Sequence, residues 1–478
     1  MKKQILDLIK KTATIVPADL LESLLESKIN EKNNYKATLS LDVILNNIYL
    51  AQNQSKPICQ DTGVLNFFVK LPPWQSTEVV TKNINSAVIK ATEQGFLRPN
   101  AVDPLSNKNS NNNLGEGFPK IYFEKAVDNN LSISLILKGG GSENVSTQIS
   151  LPFQLDDSKI AARNLAGVEK TVLQIINNIK GKGCAPGIIS VHIGGDRESG
   201  YFYAKKNFLK KIGEENKIPK LAKLEKNIIN KANKLNIGPM GIGGKTTILD
   251  CKISSSARLP ASFFVTVSYM CWALRRHTII LDKKYNSFYP ENKNKVFNFS
   301  QNFSKVKKLH FKISEAEIRK LKIGDIVLVN GIIYLGRDAV HSYSMKNNLN
   351  EDLSGSAIYH CGPIAVQKNK KWKFISAGPT TSMREEPYQY DFIKKNKIRA
   401  IIGKGGMGPK TLQGLKEFGA VYLQAIGGAG VYYAQSIKKV LDVKFLEEFG
   451  SPEALWKVEV SDFLCIVTMD SQKNILNN

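Results

Sequence analysis

The stretch IRAIIGKGGMGPKTLQGLKEFGAVYLQAIGGAG, residues 398–430, decides the fold of the C-terminal part of this chain. Its two apolar runs, IRAIIGKGG and AVYLQAIGGAG, predict short buried strands that end in glycine turns. The segment PKTLQGLKEFG between them predicts a helix that glycine terminates. The pattern extends backwards through a strand, WKFISAGP, and a helix, EPYQYDFIKKNK, and continues with a helix from Val431. Alternating strands and helices indicate an α/β domain.

The N-terminal part combines long helices with separate apolar strands. Residues 1–50 have helical apolar spacing, and further helices are predicted at 77–96, 158–183 and 220–238. Strands are predicted in GVLNFFVKLP, LSISLILKGGG, GIISVHIGGD and ASFFVTVSYMC. The polar, Asn- and Lys-rich stretch near 282–305 is typical of a linker. We therefore expect an α/β (more broadly α+β) protein with domains at 1–285 and 306–478, joined by a linker at 286–305.

Composition restricts the class of protein. The chain has 478 residues, of which 42% are hydrophobic and 23% charged, as in soluble globular proteins. It contains no apolar run of 18 residues and no secretory signal pattern, so we expect a cytoplasmic protein without membrane attachment. The net charge of +25 comes mostly from lysines scattered among Asn and Ile. This distribution disfavours specific nucleic-acid binding, although a positive field would attract a small dianion.

Three cysteines lie in glycine- or proline-containing segments: Cys59 in PICQDTG, Cys184 in GKGCAPG and Cys271 in SYMCWALRR. Three isolated thiolates make a poor structural zinc site, because structural zinc prefers four ligands. They suit an iron–sulfur cluster that leaves one iron open, and an open iron is a Lewis acid for hydroxyl and carboxylate oxygens. The pattern therefore favours a hydro-lyase over an electron carrier. The other cysteines are predicted to be ordinary buried thiols: Cys251, Cys361 and Cys465.

Several segments offer groups that bind small anions. KGGGSEN (138–144) presents backbone amides without obstructing side chains, and Arg98 precedes a proline-rich loop. In the C-terminal domain the cationic and hydroxyl residues follow predicted strands, where α/β sheets bind ligands: Arg337, Thr380, Thr381, Arg384 and Lys404. Each residue taken singly is more often a helix cap or a solvated charge. GIGGKTT lacks the spacing of a phosphate-binding loop, which excludes nucleotide binding by that motif.

Taken together and in order, these motifs resemble one family. PICQDTG, LRPNAVDP, KGGGS, a GxGGKTT-type segment, CWxxRR, GRDxxH, GPTTxxR and GKG are similar to those of class I fumarate hydratases and the related L(+)-tartrate dehydratases. The resemblance covers roughly residues 45–445, and it is the combination of motifs that is specific. It implies an N-terminal iron–sulfur hydro-lyase domain followed by a C-terminal swivelling β/β/α domain, with a substrate pocket between them, and usually a homodimer.

The resemblance also implies roles for individual residues. It implies a [4Fe–4S] cluster on Cys59, Cys184 and Cys271. It implies substrate contacts from the first domain through Gln60, Arg98 and Gly141, and a carboxylate grip from the second through Arg337, Thr381, Arg384 and Lys404. Thr380 would be the base that removes the C3 proton of malate, and Asp61 the acid near the departing hydroxyl.

One position departs from the family pattern. The family often has a histidine about four residues before the LP of the segment that leads to the third cysteine, and this chain has Ser255 there. His341 and His360 could be catalytic, but structural roles are the more ordinary interpretation. The resemblance leaves fumarate hydratase as the first hypothesis and L(+)-tartrate dehydratase as the alternative. A non-enzymatic nucleic-acid-binding or redox-sensing cluster protein is the alternative outside this class, and it would not need the C-terminal cationic residues.

Overall fold

The structure is a computed structural model and describes residues 1–156, 159–290 and 306–476. By their internal contacts, these residues form two compact units. The first comprises the described residues of Met1–Leu41 and Asp61–Phe297, and the second those of Asp42–Gln60 and Asn298–Asn478. The segment 42–60 therefore groups with C-terminal residues, whereas the sequence analysis placed it within an N-terminal domain of residues 1–285. Residues 291–305 of the expected linker lie outside the described residues.

The N-terminal half of the chain contains eight helices and eleven strands within its described residues. The helices are α1 (Lys2–Thr14), α2 (Ala18–Asn30), α3 (Tyr35–Gln54), α4 (Thr77–Glu93), α5 (Gly140–Asn144), α6 (Leu165–Ile179), α7 (Arg197–Lys206) and α8 (Pro219–Asn233). The strands are β1 (Val64–Leu71), β2 (Lys120–Lys125), β3 (Leu131–Lys138), β4 (Thr147–Ser150), β5 (Phe153–Asp156), β6 (Lys159–Ala161), β7 (Gly187–Ile193), β8 (Ile248–Ser255), β9 (Phe264–Met270), β10 (Arg275–Leu281) and β11 (Ser287–Phe288). Helix α3 contributes residues to both units.

Two sheets organise the first unit, each covered by amphipathic helices. A five-stranded sheet has the order β11-β10-β3-β1-β2, and a four-stranded sheet has the order β4-β9-β7-β8. Ile5, Leu8 and Ile9 of α1 and the apolar face of α4 pack on the first sheet, because their i, i+3, i+4 spacing puts them on one side of each helix. Helices α6 and α8 cover the second sheet in the same way. Burial of each large aliphatic side chain contributes about 1.5–3 kcal/mol.

The helix predicted over 158–183 is shorter in the structure. Residues 159–161 form strand β6, and helix α6 begins at Leu165. Asn164 caps the N-terminus of helix α6, because its side chain accepts a hydrogen bond from the Gly167 amide at 2.8 Å. Residues 180–183 form a 3₁₀ turn that leads into Cys184. The prediction was therefore wrong at both ends, and the N-terminal error comes from overlooking an asparagine cap.

The second unit is built on one large sheet. Its remaining helices are α9 (Glu315–Ile318), α10 (Asp338–Lys346), α11 (Glu386–Asn396), α12 (Pro409–Phe418), α13 (Gly430–Ser436) and α14 (Leu446–Phe449). Its strands are β12 (Val306–Phe311), β13 (Ile326–Gly336), β14 (Ala357–His360), β15 (Ile364–Lys368), β16 (Lys371–Ser376), β17 (Ala400–Gly403), β18 (Val421–Gln424), β19 (Ile437–Lys444) and β20 (Leu455–Met469). Strands β15 and β16 form a separate hairpin, and the other seven have the order β12-β13-β14-β17-β18-β20-β19.

The topology of the seven-stranded sheet places the candidate binding loops on one edge. Strands β13, β14, β17 and β18 are neighbours and run parallel. Their carboxyl ends therefore meet at the same edge, where open α/β sheets bind ligands. Strand β20 runs antiparallel to both β18 and β13, so the sheet curls back on itself. The mixture of helices and strands confirms the predicted fold class. No helix among the described residues has the length and apolar character required to cross a membrane.

Candidate active site

In the first unit, the predicted acid and two predicted substrate contacts lie together. Asp61 follows the second-unit segment in the chain, and its carboxylate faces the glycine triplet that begins helix α5. The Gly141 amide lies 3.4 Å from Asp61 Oδ2, and Arg98 Nη2 lies 3.7 Å from Asp61 Oδ1. Arg275 donates to the Asp61 backbone carbonyl at 2.9 Å, which fixes the main chain beneath the carboxylate. The structure thus brings Asp61, Arg98 and Gly141 into one constellation.

The glycine triplet, residues 139–141, can lie this close to the Asp61 carboxylate because it has no side chains. A Cβ on Gly139 would lie 2.9 Å from Asp61 Oδ2. Strand β3 ends at Lys138, directly before the triplet. Gly63, two residues after Asp61, would clash with the Lys138 backbone if it carried a Cβ. Glycine at these positions therefore allows the Asp61 loop to lie directly against the turn.

Two of the three predicted cluster ligands also lie in the first unit, on adjoining loops. Cys184 follows the 3₁₀ turn after α6, and Cys271 follows β9. The Trp272 amide lies 3.4 Å from the Cys184 carbonyl, so the two loops touch through their backbones. Cys184 has φ = 57°, a left-handed conformation that is uncommon for residues other than glycine and is often found at functional sites.

Helix α5 connects this thiol pair to the Asp61 constellation. The Cys271 amide lies 3.3 Å from Ser142 Oγ, one residue after Gly141. Lys138, fully buried, donates to Glu143 Oε2 at 2.7 Å and to Ser146 Oγ at 3.1 Å. Burial lowers the pKa of Lys138 to about 8, although Glu143 opposes that effect. The sequence analysis missed Lys138 and Glu143, which anchor the turn through a buried ion pair.

Cys59 and Gln60 belong to the second unit, where backbone contacts fix them. The Gln60 amide forms two hydrogen bonds with one residue: Gly378 N donates to its Oε1 at 2.9 Å, and its Nε2 donates to Gly378 O at 2.6 Å. Cys59 Sγ lies 3.5 Å from Gln60 Oε1. A Cβ on Gly430 would lie 3.2 Å from the Cys59 Cα. Gln60 therefore holds the loop that carries the candidate base, and its expected contact with substrate remains a prediction.

Asn47, in helix α3, holds the segment before Cys59. Its Nδ2 donates to the Ile58 carbonyl at 3.0 Å, and its Oδ1 accepts from the amides of Val431 and Tyr432 at 2.9 and 3.0 Å. These two amides begin helix α13 and lack partners within that helix. One fully buried amide side chain thus binds both α13 and the irregular segment that leads to Cys59. Sequence reasoning did not identify Asn47.

The residues predicted to bind the carboxylates of the substrate lie at the edge of the large sheet where its parallel strands end. Arg337 directly follows β13, and Arg384 lies in the turn before α11. Both reach Asp338: Arg384 Nη2 lies 3.0 Å and Arg337 Nη2 3.7 Å from its Oδ2. Arg384 also donates to Thr380 Oγ1 at 3.3 Å. Arg337 Nη2 lies closer to Glu453 Oε1, at 3.0 Å. Asp338, a partly exposed carboxylate, therefore lies between the two arginines, and Arg384 is the one that contacts the candidate base.

Lys404 and Thr381 are joined by backbone pairing at the end of β17. The two residues form an isolated parallel bridge, and the Ser382 amide donates to the Lys404 carbonyl at 3.1 Å. The Thr380 amide donates to the His360 carbonyl at 2.7 Å, at the end of β14. All five C-terminal residues predicted from strand ends therefore occupy one edge of this unit.

Glu385 is a buried carboxyl group that sequence reasoning missed. It is fully buried, and among the described residues neither of its carboxyl oxygens has a hydrogen-bond partner. Arg384 Nη2 lies 3.8 Å from its Oε1. Burial raises its pKa to about 8, with the negative charge of Asp338 adding to the effect. A carboxyl group that holds a proton near neutral pH therefore lies next to the candidate base loop.

The histidines near this edge have structural contacts. His341 Nδ1 lies 2.8 Å from the Arg337 carbonyl, and His360 lies between Ser382 Oγ at 2.8 Å and Gln389 Oε1 at 3.1 Å. Burial lowers the pKa of His341 to about 4 and that of His360 well below its ordinary value. Two neutral, packed imidazoles favour the structural interpretation of both residues.

The position where the family often has histidine is exposed at the end of β8, as Ser255. Its neighbours Ser254 and Ser256 lie 2.8 and 2.9 Å from the two ring nitrogens of His192, on β7. An imidazole is therefore present beside this segment, supplied by a different strand. Burial lowers the pKa of His192 to about 4.

The donor chemistry fits an iron–sulfur cluster. None of the six cysteines, all in the described part of the chain, forms a disulfide. Thiolates are the donors such clusters require, and Cys184 and Cys271 present two on touching loops. Within residues 1–156, 159–290 and 306–476, no three His, Cys, Asp or Glu side chains are grouped so as to hold a metal ion. As predicted, the remaining three cysteines are buried: Cys251, Cys361 and Cys465.

Comparison with known proteins agrees with these motifs. Residues 2–280 match the family model described as fumarate hydratase (Fumerase), and residues 279–477 match the model of the fumarase C-terminus. The chain is 45% identical over 485 residues to a Geobacillus stearothermophilus protein named “Putative fumarate hydratase class I”, covering 98% of this chain and 94% of that protein.

Two further relatives each match one part of the chain. A Methanocaldococcus jannaschii protein named “Putative L(+)-tartrate dehydratase subunit alpha” is 35% identical over 57% of this chain and 94% of its own length. The Escherichia coli L(+)-tartrate dehydratase subunit beta is 35% identical over 34% of this chain and 83% of its own length. Because the full-length match and both family models agree, this chain belongs to the class I fumarate hydratase family.

Proposed function

We propose that this chain is a hydro-lyase that reversibly adds water to fumarate to give (S)-malate, as a step of the tricarboxylic acid cycle. The observation that carries the proposal lies at the carboxyl edge of the large sheet, where Arg337 and Arg384 both approach Asp338 and Arg384 contacts Thr380. Paired guanidinium groups suit planar carboxylates, which they bind with two hydrogen bonds each. A substrate carboxylate would compete with Asp338 for Arg384, and with Glu453 and Asp338 for Arg337.

The proposed proton transfers use Thr380 and Asp61. In the dehydration direction, Thr380 Oγ1 takes the C3 proton of malate, the electron pair of that C–H bond forms the double bond, and the C2–O bond breaks. Asp61 donates a proton to the departing hydroxyl, which leaves as water. Threonine is a weak base in water, and the 3.3 Å contact from Arg384 supplies the nearby positive charge that would stabilise its alkoxide. Arg337 and Lys404 would stabilise the charge that develops on the neighbouring carboxylate.

The cofactor belongs to the same proposal. We assign the ligands of a [4Fe–4S] cluster to Cys59, Cys184 and Cys271. When bound, such a cluster supplies a Lewis acid toward the substrate's hydroxyl and carboxylate oxygens. The substrate contacts proposed for Gln60, Arg98, Gly141 and Thr381 complete the set. We further propose a cytoplasmic homodimer without specific nucleic-acid or membrane partners.

L(+)-tartrate dehydratase, which would give oxaloacetate, is the second candidate. The relatives with that name match the chain in two separate parts, whereas the relative named for fumarate hydratase matches 98% of it. That difference favours fumarate. A non-enzymatic cluster protein would not require the cationic residues gathered at the sheet edge.

The test begins with anaerobic purification and reconstitution with iron and sulfide. We expect fumarate consumption, followed by its ultraviolet absorbance, and (S)-malate as product, with the loss of activity on exposure to air. Thr380→Ala should lower kcat by about 10²–10⁴-fold, the usual contribution of a general base. Thr81→Ala, on the partly exposed side of α4, is the matched control. Retention of most of kcat in Thr380→Ala would exclude Thr380 as the base, and turnover of tartrate alone would replace fumarate as substrate.

A further inference from the structure

The second unit contains a lysine-rich cleft whose lining includes none of the candidate catalytic residues. The cleft has a volume of about 1130 Å³, and hairpin β15–β16, strand β19 and the chain after α3 line it. One carboxylate, Asp442, lines it. Its lysines come from all three walls: Lys56, Lys368, Lys370, Lys371, Lys373, Lys438 and Lys439. The lining therefore carries a strong positive charge on a concave surface.

The structure shows no carboxylate paired with these ammonium groups among the residues it describes. Within the part of the chain that the structure describes, no ion pair joins any of the seven lysines to a carboxylate. Burial lowers the pKa of Lys56, and the positive charge of Lys373 lowers it further. Like charges held together without compensation are unfavourable, and an anion that neutralised them would bind with the corresponding gain.

The types of residue that line the cleft indicate which class of anion it binds. The proposed substrate site uses arginines, whose planar forks match carboxylates, whereas the cleft uses only lysines, which act as point charges toward phosphate. The cleft volume lies above the range of ordinary small-molecule pockets and exceeds the needs of a four-carbon diacid. Several charges arranged along three walls suit an extended ligand with several negative charges.

We propose that this cleft is a binding site for a polyphosphate chain, as carried by inorganic triphosphate or by a nucleoside triphosphate. Trp372 lies in the lining and is partly exposed, with its ring 5.2 Å from that of buried Trp456. Its indole is therefore a spectroscopic reporter inside the site. A nucleobase could stack on this indole. Comparison of the affinities for triphosphate and for ATP measures whether the base contributes to binding.

The walls of the cleft converge at Gln60. Lys56 precedes it by four residues, β16 leads directly into the Ala377–Gly378 turn, and β19 follows helix α13. These three segments are joined where they leave the cleft: Gly378 N donates to Gln60 Oε1 at 2.9 Å, Ala377 N to Gly430 O at 2.8 Å, and Gly430 N to Ile58 O at 3.1 Å. Occupation of the cleft therefore acts on the loop that carries Thr380.

The binding test uses the full chain at low ionic strength, with inorganic triphosphate and ATP titrated by calorimetry and by tryptophan fluorescence. We expect saturable binding with a Kd below about 1 mM and a loss of at least about tenfold in affinity in Lys371→Gln/Lys373→Gln/Lys439→Gln. The control, Lys217→Gln/Lys220→Gln/Lys223→Gln, removes the same charge from exposed positions in and before α8. Trp372→Phe should abolish the fluorescence change while calorimetric binding persists.

Equal affinity of the cleft variant and the control variant for triphosphate would refute the proposed binding site. A fluorescence change that persists in Trp372→Phe would also refute it. Binding of single-stranded DNA that triphosphate does not displace would replace the proposed ligand with a nucleic acid. Tighter binding of ATP than of triphosphate would identify a nucleoside triphosphate as the source, and equal binding the polyphosphate chain alone.

The coupling to Gln60 has its own measurement, which rests on the proposed hydratase activity. Saturating triphosphate should change the KM for fumarate at least about twofold in the native sequence and not in the cleft variant. An unchanged KM with intact binding would overturn the coupling. Because binding is measured without turnover, an inactive enzyme would refute the proposed function and leave the cleft assignment standing.

Discussion

The double hydrogen bond between Gln60 and Gly378 makes a specific prediction for Gln60→Glu. The substitution keeps the size of the side chain and replaces the Nε2 donor, which lies 2.6 Å from the Gly378 carbonyl, by an oxygen. A protonated carboxyl group can still donate to that carbonyl, but an ionised one cannot. Gln60 is 2% exposed, so water does not replace the lost donor.

The magnitude follows from burial and the missing donor. A buried acceptor without its partner costs about 1–3 kcal/mol, and more where a charge is involved, so ionisation should cost about 2–4 kcal/mol. The folded protein therefore prefers the protonated form and raises the pKa of the introduced carboxyl group. A raised pKa means that stability is retained below the ordinary value of about 4.3 and is lost as the pH rises toward the folded-state value, by up to about 1.4 kcal/mol per pH unit.

The assay compares unfolding temperatures of variant and native protein at the same pH. For a unit of this size 1 kcal/mol corresponds to about 2–4 °C, so the variant should unfold about 5–15 °C lower at pH 8 and much closer to native at pH 5. Gln94→Glu, at an exposed position after α4, is the matched control and should show no such dependence. The same deficit at both pH values would refute the role assigned to the Gln60 donor.

Three further predictions concern the candidate site. Burial raises the pKa of Glu385 to about 8, so the native protein should lose up to about 4 kcal/mol of stability between pH 5 and 9 as this carboxyl group ionises, and Glu385→Gln should not show that loss; parallel changes in the unfolding temperatures of the two proteins over that range would contradict it. Gly139→Ala places a Cβ 2.9 Å from Asp61 Oδ2 and should lower kcat at least about tenfold, whereas Gly115→Ala, which meets no atom within 4 Å, should not; equal rates would refute the contact. Asp338→Asn removes the carboxylate that competes for Arg384, while Arg337 keeps its ion pair with Glu453, and should lower the KM for fumarate about two- to fivefold; a higher KM would mean that Asp338 positions the arginines.

The fold class and the sheet-edge residues could be predicted from the sequence because both depend on local patterns. A buried strand and its terminating glycine are neighbours in the chain, so Lys404 could be placed at the end of β17 from the letters IIGKGG. Strand β20 was not predicted. It pairs with β13 more than 120 residues earlier, and with β18 and β19, so its position depends on distant partners rather than on a local repeat.

The acidic residues around the candidate site could not be predicted from local sequence patterns. Asp338 and Glu385 are adjacent to predicted residues, and as letters they are indistinguishable from solvated acids. Their roles depend on burial and on which cation faces them: Asp338 is 40% exposed between two arginines, while Glu385 is fully buried. Such differences arise only when strands from several parts of the chain meet.

The segment 42–60 shows how a short N-terminal stretch can belong to the chemistry of the second unit. A glutamine side chain carries both a donor and an acceptor, so Gln60 can bind both backbone groups of Gly378 at once. Asn47 uses the same property further back, donating to Ile58 and accepting from the start of α13. Alanine at position 60 would remove these partners of both Gly378 backbone groups, and alanine at position 47 would do the same for the buried amides of Val431 and Tyr432. Two amide side chains thus fix Cys59 against the loop that leads to Thr380, so the order of a proposed cluster ligand and of the proposed base depends on the same five hydrogen bonds.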